Sequence, residues 1–138
     1  MKLLLLATLN GLTLAALYFI VASGFTLIFG MMRVVNLAHG SLYLLGAYIG
    51  FDVASATGHW WLALAGGAVG TAVVGALIQY LFLDRYQGQD LRQALITIGL
   101  SIVAADLLLA RYGGLSYQFE VPEILYGGLR LPIVGGYP

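Results

Sequence analysis

The 138-residue chain contains no cysteine, and only 9% of its residues are Asp, Glu, Lys or Arg. Without cysteine there are no disulfides and no thiolate metal sites; compartment is left open. So little charge excludes an ordinary soluble domain, in which roughly 25% of residues are charged. Six basic and six acidic residues cancel, which leaves no basic surface for nucleic acid. Proline is confined to Pro122, Pro132 and Pro138, so no ring interrupts a helix before the last stretch of chain. The two histidines and scattered acids show no ligand spacing such as H-E-x-x-H, so neither a metal nor a cofactor is expected.

What is present is apolar: 61% of the residues are hydrophobic. The expectation is an all-α, polytopic membrane protein with about four transmembrane helices, each needing about 20 apolar residues. Residues 1–138 read as a single transmembrane domain, with a Pro- and Gly-rich extramembrane segment over 115–138. Met1-Lys2 and the leucines that follow imitate a signal peptide. The apolar run continues to Met32 without a small-x-small cleavage site, so it reads as a retained first span.

Lys2 and Arg33 bracket thirty uncharged residues. As one helix these would measure about 45 Å against a hydrocarbon core of about 30 Å. A break is therefore expected at Asn10-Gly11, with the span running from about Leu12 to Gly30. A second, short or broken helix is expected over Val34–Ile49, with Asn36 as N-cap and Asp52 closing the uncharged run. Ser55–His59 reads as a turn and Trp60-Trp61 as an interfacial pair beside His59. The third span runs to about Leu83 and carries Gly66, Gly70, Ala63 and Ala72, a face built for close helix packing; Gly46 and Gly50 offer a second G-x-x-x-G. The fourth runs from Ala94 to about Tyr112, ended by Gly113-Gly114, with a hairpin expected around Tyr126–Arg130. Sidedness is nearly a tie, with Arg33, Arg85 and Arg92 on one side and Lys2, Arg111 and Arg130 on the other. The short basic loop 84–93 places that side in the cytoplasm.

The polar content concentrates in one stretch, where Arg33, Asn36, His39 and Ser41, with Gly40, interrupt continuous apolar sequence. Hydrocarbon offers such groups no partners. One reading makes them a broken helix that lines a translocation path or gate. The other makes them a capped helix start at the interface. Asp106 in the fourth span is a secondary candidate, because an intramembrane acid is costly; a structural role near the headgroups is its alternative. Catalysis finds no support: Ser41 and His39 are i,i+2 on a helix and point to different faces, so they form no dyad.

The residues also carry a resemblance. N-G-L-T-L-A-A-L-Y-F-I-V-A-S-G-F-T-L-I-F-G (10–30), followed by R-V-V-N-L-A-H-G-S-L-Y-L-L-G-A-Y (33–48), resembles the start of the ABC-importer permeases for branched-chain amino acids, of the H-type. L-D-R-Y-Q-G-Q-D-L-R-Q-A-L-I-T-I-G-L-S (83–101) is similar to the same family's loop and following helix. The resemblance implies a permease of the cell inner membrane that pairs with a second permease subunit and two ATP-binding subunits. It also implies a periplasmic substrate-binding protein that delivers a small-molecule substrate. Asn36, Ala38, His39 and Gly40 match the family's motif, and Ser41 stands where many members have an acid. That departure keeps a urea or short-amide permease as an alternative substrate class. A non-transporting membrane scaffold assembled through the glycine face is the alternative from another class. Family members are about twice this length, so the chain resembles their N-terminal half.

Overall fold

In the computed structural model the described residues are 2–114, 117, 129–131 and 135–137. Among these, four α-helices follow one another: α1 (Lys2–Met32), α2 (His39–Thr57), α3 (Trp60–Ile78) and α4 (Asp90–Tyr112). A π-helical turn, Gln79–Leu83, and a 3-10 turn, Asp84–Tyr86, extend α3 towards α4. Two three-residue strands, β1 (Leu129–Leu131) and β2 (Gly135–Tyr137), pair antiparallel with Arg130 opposite Gly136. Among the described residues the architecture is all-α apart from this ribbon; of the hairpin expected around Tyr126–Arg130, residues 126–128 lie outside the described residues. The chain divides into two units, one bounded Met1–Gly24 and Glu120–Pro138, the other Phe25–Phe119.

α1 is one continuous helix of 31 residues, and the break expected at Asn10-Gly11 is absent. A single glycine costs a helix only about 1 kcal/mol relative to alanine. Opening the backbone in lipid would strand several N–H and C=O groups at several kcal/mol each, so the helix runs on. Its hydroxyls are absorbed locally: Thr8 and Thr13 donate to the carbonyls of Leu4 and Leu9. Apolar side chains such as Leu3, Leu12, Phe19 and Ile20 are exposed around it, as suits a helix whose solvent is lipid.

The second helix begins and ends later than expected. Arg33 adopts a left-handed conformation, φ 51°, which ends α1 and leaves Val34–Ala38 non-helical. Ala38, not Asn36, occupies the N-cap, and no side chain caps it. The helix passes the expected end at Ile49 and continues to Thr57, where Gly58 (φ 67°) turns the chain and donates its N–H to the Ala54 carbonyl. The Asp52 carboxylate accepts the Tyr112 hydroxyl at 2.6 Å. Among the described residues, three helical stretches are long and apolar enough to cross a membrane: Leu3–Met31, Trp60–Tyr86 and Asp90–Tyr112. α2, with His39, Ser41 and Asp52 in its 19 residues, is not among them.

α2 and α3 form the tightest pair in the Phe25–Phe119 unit. A Cβ on Gly67 would stand 2.7 Å from the Gly46 carbonyl oxygen and 3.6 Å from the Gly50 Cα. One on Gly50 would stand 3.1 Å from the Ala63 carbonyl oxygen, and one on Gly46 would meet the Thr71 hydroxyl at 2.6 Å. Backbone therefore faces backbone along Gly46, Gly50, Ala63 and Gly67, an approach that only small residues permit. Gly66 and Gly70 lie one step off this line and receive side chains instead, Val53 and Ile49.

Candidate functional site

The non-helical stretch between α1 and α2 is held by α4. Thr97, fully buried, accepts the backbone N–H of Leu37 at 3.0 Å. Its single hydroxyl proton has three carbonyls in reach, Gln93 at 2.8 Å, Ala94 at 3.1 Å and Val35 at 3.4 Å; the shortest is the Gln93 carbonyl of its own helix. One side chain thus satisfies a backbone group that has left helical geometry, which a lipid-facing segment could not tolerate. Asn36, 9% exposed, takes the N–H of Ala38 on its Oδ1 at 3.0 Å. This closes an Asx turn, so the side chain shapes its own loop rather than capping α2. Val34 and Ala38 are buried on either side.

His39 opens α2, half-buried, with its ring 6.1 Å from that of Phe25. Two residues on, Ser41 donates to the Ser101 carbonyl at 3.3 Å, a tie between α2 and α4. Gly40 is exposed, and a Cβ there would meet nothing within 4 Å, so packing does not demand glycine at this position. The Asn36 loop and Ser41 are therefore tied to α4, through the Leu37 N–H and the Ser41 hydroxyl, while His39 lies beside Phe25 of α1. Arg33 is exposed and lines an open cavity of about 350 Å³ with Val34, Gln79, Gln87, Gly88 and Gln93. Asp106 is exposed on α4 and takes no part in these bonds.

Sequence reasoning passed over Thr97 and Gln93 as site residues. Gln93 is 1% exposed; its amide nitrogen donates to the Leu83 carbonyl at 3.4 Å, while its Oε1 is buried without a partner. A glutamine in the first turn of a helix resembles a solvated loop residue. Only its burial beneath the π-helical turn marks it.

At the other end of α2 and α4, Tyr48 stacks on Tyr112 with ring centroids 4.1 Å apart. Tyr117 packs on Phe51 at 4.8 Å and donates to the Tyr112 carbonyl. These aromatics and the Asp52–Tyr112 bond pin the helices together on the side away from the Asn36 loop.

Comparison with known proteins places these features in a family. Residues 7–130 match the family model described as branched-chain amino acid transport system / permease component. The high-affinity branched-chain amino acid transport system permease protein LivH of Escherichia coli K12 is 30% identical over 129 residues, which cover 86% of this chain and 41% of that protein. LivH of Salmonella typhimurium is 27% identical over 127 residues with the same coverage. The permease protein BraD of Pseudomonas aeruginosa is 43% identical over 42 residues, 30% of this chain and 14% of that protein. The chain spans about two fifths of the length of the LivH relatives it matches. No solved structure matches it.

Proposed function

The chain belongs to the family of branched-chain amino acid transport permeases, and from that premise we propose that it forms part of the translocation unit of an ABC importer. It moves branched-chain amino acids across the inner membrane by alternating access. It does no chemistry itself. ATP hydrolysis belongs to two partner ATP-binding subunits, a second permease subunit completes the path, and a periplasmic protein delivers the substrate. The 84–93 loop faces the cytoplasm; most of the extramembrane segment expected over 115–138 falls outside the described residues.

In this reading Asn36, His39, Gly40 and Ser41, with Arg33, form the path or its gate, and Asp106 is peripheral. The observation that carries it is the backbone of Val34–Ala38, released from helical geometry and held through Leu37 and Thr97. Non-helical backbone at membrane depth is tolerated where it is buried in protein or lines a cavity, and transporters place their sites at such breaks. The bond from Ala38 to Asn36 Oδ1 favours a second reading, in which Asn36 only shapes the loop.

Uptake per unit of folded complex separates the two. On the path reading, Asn36→Leu in the assembled permease leaves abundance near normal while uptake falls sharply. If Asn36 only shapes the loop, abundance and uptake drop together, their ratio stays constant, and Asn36→Asp restores both.

A further inference from the structure

Within the Phe25–Phe119 unit, α4 is tied at both ends to α2 and the loop that leads into it, and the two ties are unlike. Near its start, Thr97, at 0% exposure, accepts the Leu37 N–H at 3.0 Å, and the Ser101 carbonyl takes the Ser41 hydroxyl. At its far end the Tyr112 hydroxyl donates to the Asp52 carboxylate at 2.6 Å. Between the Ser41 and Asp52 bonds no hydrogen bond joins α2 to α4 among the described residues. α2 is meanwhile committed to α3, whose Ala63 and Gly67 meet Gly50 and Gly46 backbone to backbone. Helices in such contact have no side chains between them to rearrange, so α2 and α3 move as one body.

The ties differ in what it takes to break them. The Leu37 N–H belongs to non-helical backbone closed over by a buried threonine, and once released it would bear the full desolvation penalty of an unsatisfied donor. Asp52 is exposed and Tyr112 half-exposed, so water replaces each partner at small net cost. The rings around the far bond steer it without locking it. Tyr48 stacks on Tyr112 at 4.1 Å, and Tyr117 stands edge-on to both. From Thr97 to Tyr112 runs about 22 Å of helix, so a tilt of about 10° about Thr97 carries Tyr112 about 4 Å away from Asp52. That ends the far bond and leaves the near one in place.

We propose that α4 is a lever on the rigid α2–α3 pair: it pivots at the buried Thr97–Leu37 bond, and the Asp52–Tyr112 bond is the releasable clasp on its far end. The motion stands on these contacts alone; that it serves transport rests on the reading given above.

The test is double electron–electron resonance on the full chain in phosphatidylcholine nanodiscs, spin-labelled at pairs of cysteines in a chain that otherwise has none. Ala56→Cys with Ala110→Cys reads the far end, and Leu44→Cys with Leu95→Cys reads the pivot; all of these positions are exposed. The parent gives one dominant far-end distance. Tyr112→Phe keeps the stacked ring, loses the hydroxyl and adds a component about 4 Å longer, as the lever geometry requires. Asp52→Ala, which removes the acceptor, adds the same component, and Tyr112→Ala makes it dominant. Combining Asp52→Ala with Tyr112→Phe adds no more, because two changes to one bond count once. The pivot distance stays where it was in every variant, and circular dichroism checks that the helices persist. A far-end distribution in Tyr112→Phe identical to the parent's, or additive opening in the double variant, overturns the clasp. A pivot pair that lengthens as much as the far pair overturns the lever, since α4 then leaves as a whole. Normal uptake per complex in Asn36→Leu would sink the path reading and leave these distances untouched.

Discussion

The hydroxyl of Thr97 on α4 accepts the backbone N–H of Leu37 at 3.0 Å, across sixty residues of sequence. In lipid the Leu37 N–H would find no other partner. Leu37 lies in a stretch without helical bonds, and Thr97 is buried to 0% exposure beneath it. The bond therefore ties the shape of the Asn36 loop to the position of α4.

Thr97→Val keeps the shape of the side chain and removes the acceptor. A buried N–H left unsatisfied costs about 1–3 kcal/mol, so the denaturation midpoint of the purified chain in micelles should fall accordingly. Thr97→Ser keeps the hydroxyl and should lose far less. Equal midpoints for the Val variant and the parent would show that Leu37 finds water instead.

Gly67→Ala drives a methyl group to 2.7 Å from a backbone oxygen that cannot rotate away. Separating α2 from α3 to admit it should destabilise the chain by about 1–3 kcal/mol. Gly75→Ala, on the same helix with open space around it, should stay within about 0.5 kcal/mol of the parent. Thermal unfolding of the two variants side by side decides whether the close face is the one centred on Gly67.

Because cysteine is absent, single cysteines report sidedness without background. α4 separates Gln89 from Gly114. An impermeant maleimide applied to intact cells should label Gly114→Cys and spare Gln89→Cys until the membrane is permeabilised. Labelling of both from outside would mean that α4 does not cross.

His39 gives a graded test of the path. In the assembled permease His39→Gln, which keeps a donor and an acceptor, should retain more uptake than His39→Leu. A role that needs the imidazole itself would make Gln as damaging as Leu.

The class of the protein, the order of its apolar segments and the place of its polar stretch follow from one-dimensional pattern. Charge scarcity and apolar runs report the solvent, Gly58 and Gly113 mark helix ends through their positive φ, and Arg33 to Ser41 stand out because nothing nearby is polar. Partnership lies beyond such patterns. Thr97 looks like any hydroxyl on an apolar helix until Leu37 is brought to it. Gly66, Gly67 and Gly70 are equally small, and only the rotation of α3 against α2 makes Gly67 the point of backbone contact. Gln93 becomes a buried, unpartnered amide only when the π-helical turn closes over it. Burial from lipid, close approach and hydrogen bonding across sixty residues are properties of pairs, and tertiary packing alone chose which residues were paired.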